Sequence, residues 1–521
     1  MRSRPVLPAF LAALAALIVA GCGAGGDGAS GGGPASVAPA GTPLYLEFTV
    51  RPTGETKTNV ETLARKIAGI EDLGALIFEE LEESAAEEGE EIDFETEIEP
   101  WLGEKGGFIY PEFSEGDFEG FALAVEVTDS GAAEGFIENQ TKRSEEEITS
   151  GSFEGIDFQV DEDGEVVGVV GDLIVLAEEE AIFKEVVTAS NGESLAEQDV
   201  YSDAVSANPD ESAADVYVDI GGLIRVAEAS GEVDEDARRI FENAGIELDE
   251  ATATASLIPG SDRIEVDIAS NAAGENPPSG DASELLGSLP ATAVFAFAAP
   301  DFGDRFDEGI DQIDEQGIPS EGVQPHQLKK TLKEAGIDLE AIAGSIGDAG
   351  GYVTGNSESS LGGAVVLETE NANQAKNTVS NIGLFLRSTG IPGITRIGEG
   401  ASGFSIRSPE LGRQPVVVAA KGSRIAIGYG LAPALASFEE SGQTLADLPA
   451  YEEAVAALGD TPIAAFVDGS SALNLISALI PSGDEGFEEA EPYLEKIEYL
   501  AIGSEASDAL ITAKLIVGIG E

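Results

Sequence analysis

A single histidine, His326, and a single cysteine, Cys22, are what nucleophilic or His/Cys metal chemistry would have to be built from in this chain of 521 residues. A thiol nucleophile needs an imidazole beside it, and a structural zinc site needs three or four such ligands. One of each supplies neither. His326 lies in the polar run PSEGVQPHQLKKTLKEAG at what reads as a helix start, and is expected to be solvated or capping. A serine triad would need the same histidine, and no nucleophile elbow exists to serve it. Gly23, Gly25 and Gly28 fit GxGxxG, and Gly28 to Gly32 fit GxSxG. Both matches sit in glycine-rich filler that neither follows a strand nor opens a helix, as the phosphate cradle and the elbow require. No glycine-rich loop is followed by Lys-Ser or Lys-Thr, so P-loop chemistry is absent. Carboxylates remain. Among 98 Asp and Glu residues some pair at glycosidase spacing is inevitable, so no pair is informative, and one Trp with nine Tyr offers few sugar platforms. The run QVDEDGEV, Gln159 to Val166, lacks the twelfth-position Glu and the helix flanks of an EF-hand, which favours loose cation condensation over a structural calcium site. The sequence therefore assigns no catalytic residue, no metal ligand and no cofactor.

Cys22 has a different context. Arg2 and Arg4 precede an apolar run from Val6 to Ala20 that is too short for a permanent span, so residues 1–21 read as a signal peptide. Val19-Ala20-Gly21-Cys22 resembles the lipobox of bacterial lipoproteins. That resemblance implies cleavage before Cys22 and a diacylglyceryl group on its thiol, giving two acyl chains that anchor the protein in the lipid bilayer. An ordinary secretory signal with a chance cysteine is the alternative. A lone cysteine also rules out any disulfide within the molecule. The run GAGGDGASGGGPASVAPAG, Gly23 to Gly41, is too poor in apolar side chains to fold, so 22–41 are expected to form a flexible tether.

The elements that follow come twice. LAEQDVYSDAV (Leu195 to Val205) reappears as LADLPAYEEAV (Leu445 to Val455), 250 residues later. GTPLYLEF (Gly41 to Phe48) answers PATAVFAF (Pro290 to Phe297), ALAVE (Ala122 to Glu126) answers AVVLE (Ala364 to Glu368), VVGDLIVLA (Val169 to Ala177) answers AAKGSRIAIG (Ala419 to Gly428), and ADVYVD (Ala214 to Asp219) answers AAFVDG around Phe466. The order is preserved and the offsets lie between about 242 and 251, which reads as duplication of a whole domain. The expected organisation is a first repeat over 42–270, a Gly/Pro/Ser-rich linker over 271–283 and a second repeat over 284–521. Val60, Leu63, Ile67, Ile70, Ile77 and Leu81 pattern the first helix. An Asp163-Gly164 turn joins two strand-like runs. Short polar turns between strands favour α+β, two tandem homologous domains each with a mainly antiparallel sheet and packed helices, over a doubly wound parallel fold. In the opening strand Leu44, Leu46 and Phe48 share one face, while Tyr45, Glu47 and Thr49 share the other, expected to be wet. With Ala296 matched to Glu47, the second copy's strand is the expected two-sided, buried one.

IDFETEIEPWLGEKGGF (Ile92 to Phe108) answers IDLEAIAGSIGDAGGY (Ile337 to Tyr352) and carries a family resemblance. Its Ile-Asp and Pro-Trp-Leu-Gly-acid run, with the later Tyr-x-x-Ala segments at Tyr201 and Tyr451 before strands ending in Asp219 and Asp468, is similar to actinobacterial and cyanobacterial proteins grouped as domain of unknown function 3352. The second half departs from the pattern at Ser345, where the first has Trp101. The resemblance implies no activity. Trp101 reads as a core or lid anchor with its indole N–H bonded locally, against a ligand-stacking role.

A formal charge of −71 repels nucleic acid and anionic head groups, so neither is an expected partner. The expectation is an extracytoplasmic, lipid-anchored cell-membrane protein that binds an unidentified ligand or envelope protein without catalysis. A carboxylate- or serine-dependent envelope hydrolase is the alternative.

Overall fold

The computed structural model describes residues 33–520 apart from 72, 77–81, 83–91, 115–116, 119, 145–147, 210, 231–247, 273–279, 317–325, 335–337, 389, 399, 440–441, 481–482 and 508–509. Cys22 and the linker's centre therefore lie outside the described residues. The chain divides into two compact units, Met1–Pro277 with Ala506–Thr512 and Glu521, and Pro278–Glu505 with Ala513–Gly520.

In the first unit the strands are β1 (Leu44–Thr49), β2 (Leu102–Tyr110), β3 (Phe113–Ser114), β4 (Asp117–Phe118), β5 (Ala122–Val127) and β6 (Thr149–Phe153). They continue with β7 (Ile156–Val160), β8 (Val166–Val170), β9 (Leu173–Ala177), β10 (Ala214–Asp219), β11 (Thr252–Pro259) and β12 (Arg263–Ser270). Apart from the β3–β4 hairpin they pair, always antiparallel, in the order β12-β11-β10-β1-β2-β5-β9-β8-β7-β6. The second unit has β13 (Ala293–Ala299), β14 (Ile346–Thr354), β15 (Gly362–Thr369), β16 (Ile394–Ile397) and β17 (Ser402–Ile406). After these come β18 (Val416–Lys421), β19 (Arg424–Tyr429), β20 (Ile463–Asp468), β21 (Ile497–Ala506) and β22 (Ile511–Ile519). Nine of them pair, again antiparallel, as β21-β20-β13-β14-β15-β19-β18-β17-β16. The fold is α+β, and from β11 to β6 the first ladder has the second's order, strand for strand.

Local chemistry explains the element ends. The helix Gly54–Ala68 buries Val60 and Leu63 and stops at Gly69, whose φ of 70° only glycine adopts cheaply and whose N–H donates to Arg65 O. The patterned helix therefore ends before Ile70, and Ile77 and Leu81 lie outside the described residues. At the β7–β8 turn Gly164 has φ 95°, and the buried Asp161 accepts the N–H groups of Asp163 and Glu165 through Oδ1.

Two expectations are corrected. The tether does not extend to Gly41. Pro34–Ser36 form a 3₁₀ turn, and Ala35, Val37 and Ala38 are buried. Ala38 O accepts from Leu195 N–H, and Pro34 lies against the side-chain-free Gly107. Short apolar side chains, too few for a core of their own, complete an existing one. The opening strands are also the reverse of the expectation. Tyr45 and Thr49 of β1 are buried, because Tyr201 stacks edge-on to Tyr45 and Tyr217 from the adjoining helix. In β13 it is Ala293, Ala296 and Ala298 that are covered, while Phe295 and Phe297 face outward. Composition misled here, since burial depends on what lies opposite a face and not on its own hydropathy.

Candidate functional site

Two places stand apart from ordinary packing. The first is a row of ionisable side chains on the Tyr45 face of the first sheet. Asp215 of β10 sits directly opposite Glu47 of β1 on one side and Ser256 of β11 on the other. Glu47 accepts from Lys105 Nζ at 2.6 Å through Oε1 and from the Tyr45 hydroxyl at 2.9 Å through Oε2. Lys105 N–H donates to Glu126 Oε2 at 3.0 Å. Asp215 accepts from Ser212 and Ser256 hydroxyls, both at 2.5 Å, and from Asn208 Nδ2 at 3.1 Å. Burial pushes the Asp215 carboxyl above its usual range, with Glu47 adding to this and the two serines opposing it. Glu126 is also raised by burial, against the Lys105 N–H that it accepts. For Lys105 burial pulls down, but the Glu47 carboxylate outweighs it and the ammonium is held above its usual value. Burial, then Glu47 and Asp215, push Tyr201 far up, and burial takes Tyr217 to about 12. The row is closed on itself: the oxygens an acid or base would use are already engaged within the protein. Among the described residues no group of three or more His, Cys, Asp or Glu is placed to hold a metal ion.

The second place is an open apolar row on the second sheet. Ile427, Val365, Gly351, Phe297, Ala465 and Ile502 lie directly opposite one another across β19, β15, β14, β13, β20 and β21. Directly opposed residues project to the same side. The first sheet has the same row, Leu176, Leu123, Phe108, Leu46, Val216 and Ala255. Its Leu123 and Leu176 are 0 % exposed, whereas Val365 and Ile427 are 41 % and 38 % exposed, Phe297 38 % and Ile502 43 %. Two devices cover the Leu176–Leu123–Phe108 end of the first row, while Leu46, Val216 and Ala255 stay half-buried. The connection 111–121 brings Phe118 to 5.5 Å from Tyr110, and Phe121 to 5.8 Å from Phe108, between ring centroids. Ala133 and Phe136 of the helix Ser130–Arg143, with Trp101, join Leu123 and Leu176 in one core. In the second unit the connection 355–361, GNSESSL, carries no ring and bonds to itself through Asn356, Ser357 and Ser360. The helix Ala372–Ser388 packs with Leu367, Phe404 and Ile425, one step along the strands from Val365 and Ile427.

The residues singled out by sequence separate. Trp101 is buried, 5.6 Å from Phe136, and donates its indole N–H to Glu97 O, which makes it a core anchor. Ser345 is buried too, and its hydroxyl turns back to Ile342 O. Asp93 and Asp338 N-cap the short helices Phe94–Glu97 and Leu339–Ala343 that follow them. His326 is exposed, with φ 59°, two residues before the helix Leu328–Glu334. Tyr201 and Tyr451 are both buried, the latter edge-on to Phe466. Sequence reasoning missed Lys105, Glu126 and Asp215, and it missed the open row. The four-residue difference between the connections 111–121 and 355–361, and the three phenylalanines present in only one, were the available signal.

Fold and site together define an α+β protein of two antiparallel ladders, with no metal-holding group among the described residues. A family model described as "Protein of unknown function (DUF3352)" matches residues 75–516, and the chain belongs to that family. No curated protein matches it. Among solved structures it is similar to crystal form III of TP0453, at 11 % identity and TM-score 0.26, over 46 % of this chain and 80 % of that one. Crystal form I of TP0453 gives 10 % identity and TM-score 0.17, over 78 % and 96 %. Likeness at these scores carries no argument about function. No helix among the described residues is long and apolar enough to cross a membrane.

Proposed function

We propose that this is an extracytoplasmic lipoprotein, anchored in the cell membrane through Cys22, whose two related halves form a non-enzymatic binding protein with the open row of the second sheet as its contact surface. The observation that carries the reading is the contrast between Leu123 and Leu176, fully buried, and Val365 and Ile427, exposed at the same ladder positions. Four exposed apolar side chains in one row across six strands are unusual on a protein surface unless something covers them. The matched ladders support descent of the halves from one duplicated domain, and divergence of one connection accounts for the difference between them. Of the carboxylates a hydrolase could call on, the half-buried Glu47 and Asp215 are engaged by Lys105, Tyr45, Ser212, Ser256 and Asn208, which lends that reading no support.

Photo-crosslinking in cells tests the binding reading. A benzoyl-phenylalanine replacing Val365 should give a discrete adduct, of lipid or of protein, that the same residue at the exposed Glu410 does not. Equal, diffuse labelling at both positions, or none at Val365, would sink it.

A further inference from the structure

Resting on that binding reading, we infer that the open row takes a linear hydrocarbon chain with an uncharged head, laid across the strands over Ile427, Val365, Phe297 and Ile502.

Three observations select this occupant. The first is charge. The segments 293–299, 350–354, 362–367, 425–429, 463–467 and 499–503, and the helix Gly469–Leu479 that follows β20, contain no Asp, Glu, Lys or Arg, in a chain of which 24 % is charged. The strip offers no counter-charge, and the −71 of the whole protein opposes an anionic head. A second copy of this chain would bring the same −71 and be repelled.

The second is hydrogen bonding. A peptide laid on a sheet face sets its N–H and C=O groups against side chains that cannot answer them, because a sheet bonds backbone only along its edges. Each group left unpaired loses its bonds to water with nothing in return. The first unit meets this difficulty by covering its face with rings on a hairpin whose backbone is paired internally, Phe113 with Phe118 and Ser114 with Asp117. A hydrocarbon has no such groups to satisfy, and apolar contact at about 25 cal/mol per Å² is its whole driving force.

The third is shape. Gly351 and Gly363 place no side chain within the face, and a Cβ built on Gly351 would fall 2.6 Å from the Phe297 ring. The ring thus lies over that glycine and takes the place of the side chain that β14 lacks in the row. The row crosses six strands, five intervals of about 4.8 Å or roughly 24 Å in all. That length suits an extended chain better than a compact ligand.

The probe is the methyl ester of cis-parinaric acid, an uncharged fluorescent acyl chain, titrated into the full mature protein. Saturable binding is expected, weakened at least tenfold in Val365→Gln and in Ile427→Gln and unchanged in Leu411→Gln, an equally exposed apolar residue off the row. Near-ultraviolet circular dichroism checks that the variants keep their fold; these positions are exposed and should tolerate glutamine. The free acid should bind more weakly than the ester at pH 8. Absence of saturable binding, an affinity that Val365→Gln leaves unchanged, or an acid that binds as tightly as the ester each overturns the inference. A peptide adduct at position 365 without parinarate binding defeats the hydrocarbon and leaves the binding reading standing. Failure of both experiments removes both.

Discussion

Asp215 and Glu126 are carboxyls that keep a proton to higher pH in the folded protein than in the unfolded chain, since burial raises both above their unfolded values. A raised carboxyl adds stability that is complete below its unfolded pKa and is lost as pH climbs through the folded value. The buried Asp161 acts in the same direction. Thermal stability should therefore be higher near pH 5 than near pH 8, and Asp215→Asn should flatten the curve while costing little at pH 8. A melting temperature that falls between pH 8 and pH 5 would contradict this. Removing Lys105 works the other way, because Lys105→Met strands Glu47 at neutral pH; about 2 kcal/mol is expected, less than a fully buried pair would cost. Single residues were the least legible part of the sequence. Trp101 announced itself by its Pro-Trp-Leu-Gly context. Glu47 did not, because alternation alone put it on a solvated face, and only the pairing of β1 with β2 and β10 sets it beside Lys105 and Asp215.

Elements were more legible, for a physical reason. Strand pairs such as β8–β9 and β18–β19 are short apolar runs joined by tight turns, and LAEQDVYSDAV and LADLPAYEEAV begin as 3₁₀ turns whose buried Leu195 and Leu445 bond back to Ala38 O and Leu289 O. Local sequence fixes such units. What covers a face is decided by a connection far away in the ladder, and there reading fails. The connections can be exchanged as a test. Replacing 111–121 with GNSESSL should uncover Phe108 and Tyr110 and cost about 3 kcal/mol in chemical denaturation, since each ring contributes about 1.5–3 kcal/mol when fully buried and these are only partly so. The reverse graft, with 111–121 in place of 355–361, should close the second row and abolish the adduct at position 365. An adduct that persists would mean that the connection is not what governs access.

For the whole molecule the proposed lipid anchor is the first thing to test. Cys22→Ala should leave unprocessed or soluble protein, read by detergent partitioning of cell fractions, and a mature variant that still enters the detergent phase would refute the lipid anchor. The acidic surface then sets which neighbours the anchored body tolerates.

The burial of Ala35, Val37 and Ala38 bears on how far that body can travel. With the chain packed from Gly33 onward, ten residues separate it from Cys22. Fully drawn out they reach about 35 Å, and as a relaxed Gly/Ser chain about 17 Å. The anchor is thus a short leash. If Cys22 carries the anchor proposed above, the protein would patrol a thin layer above its bilayer, and a ligand would have to be picked up and handed over within that layer.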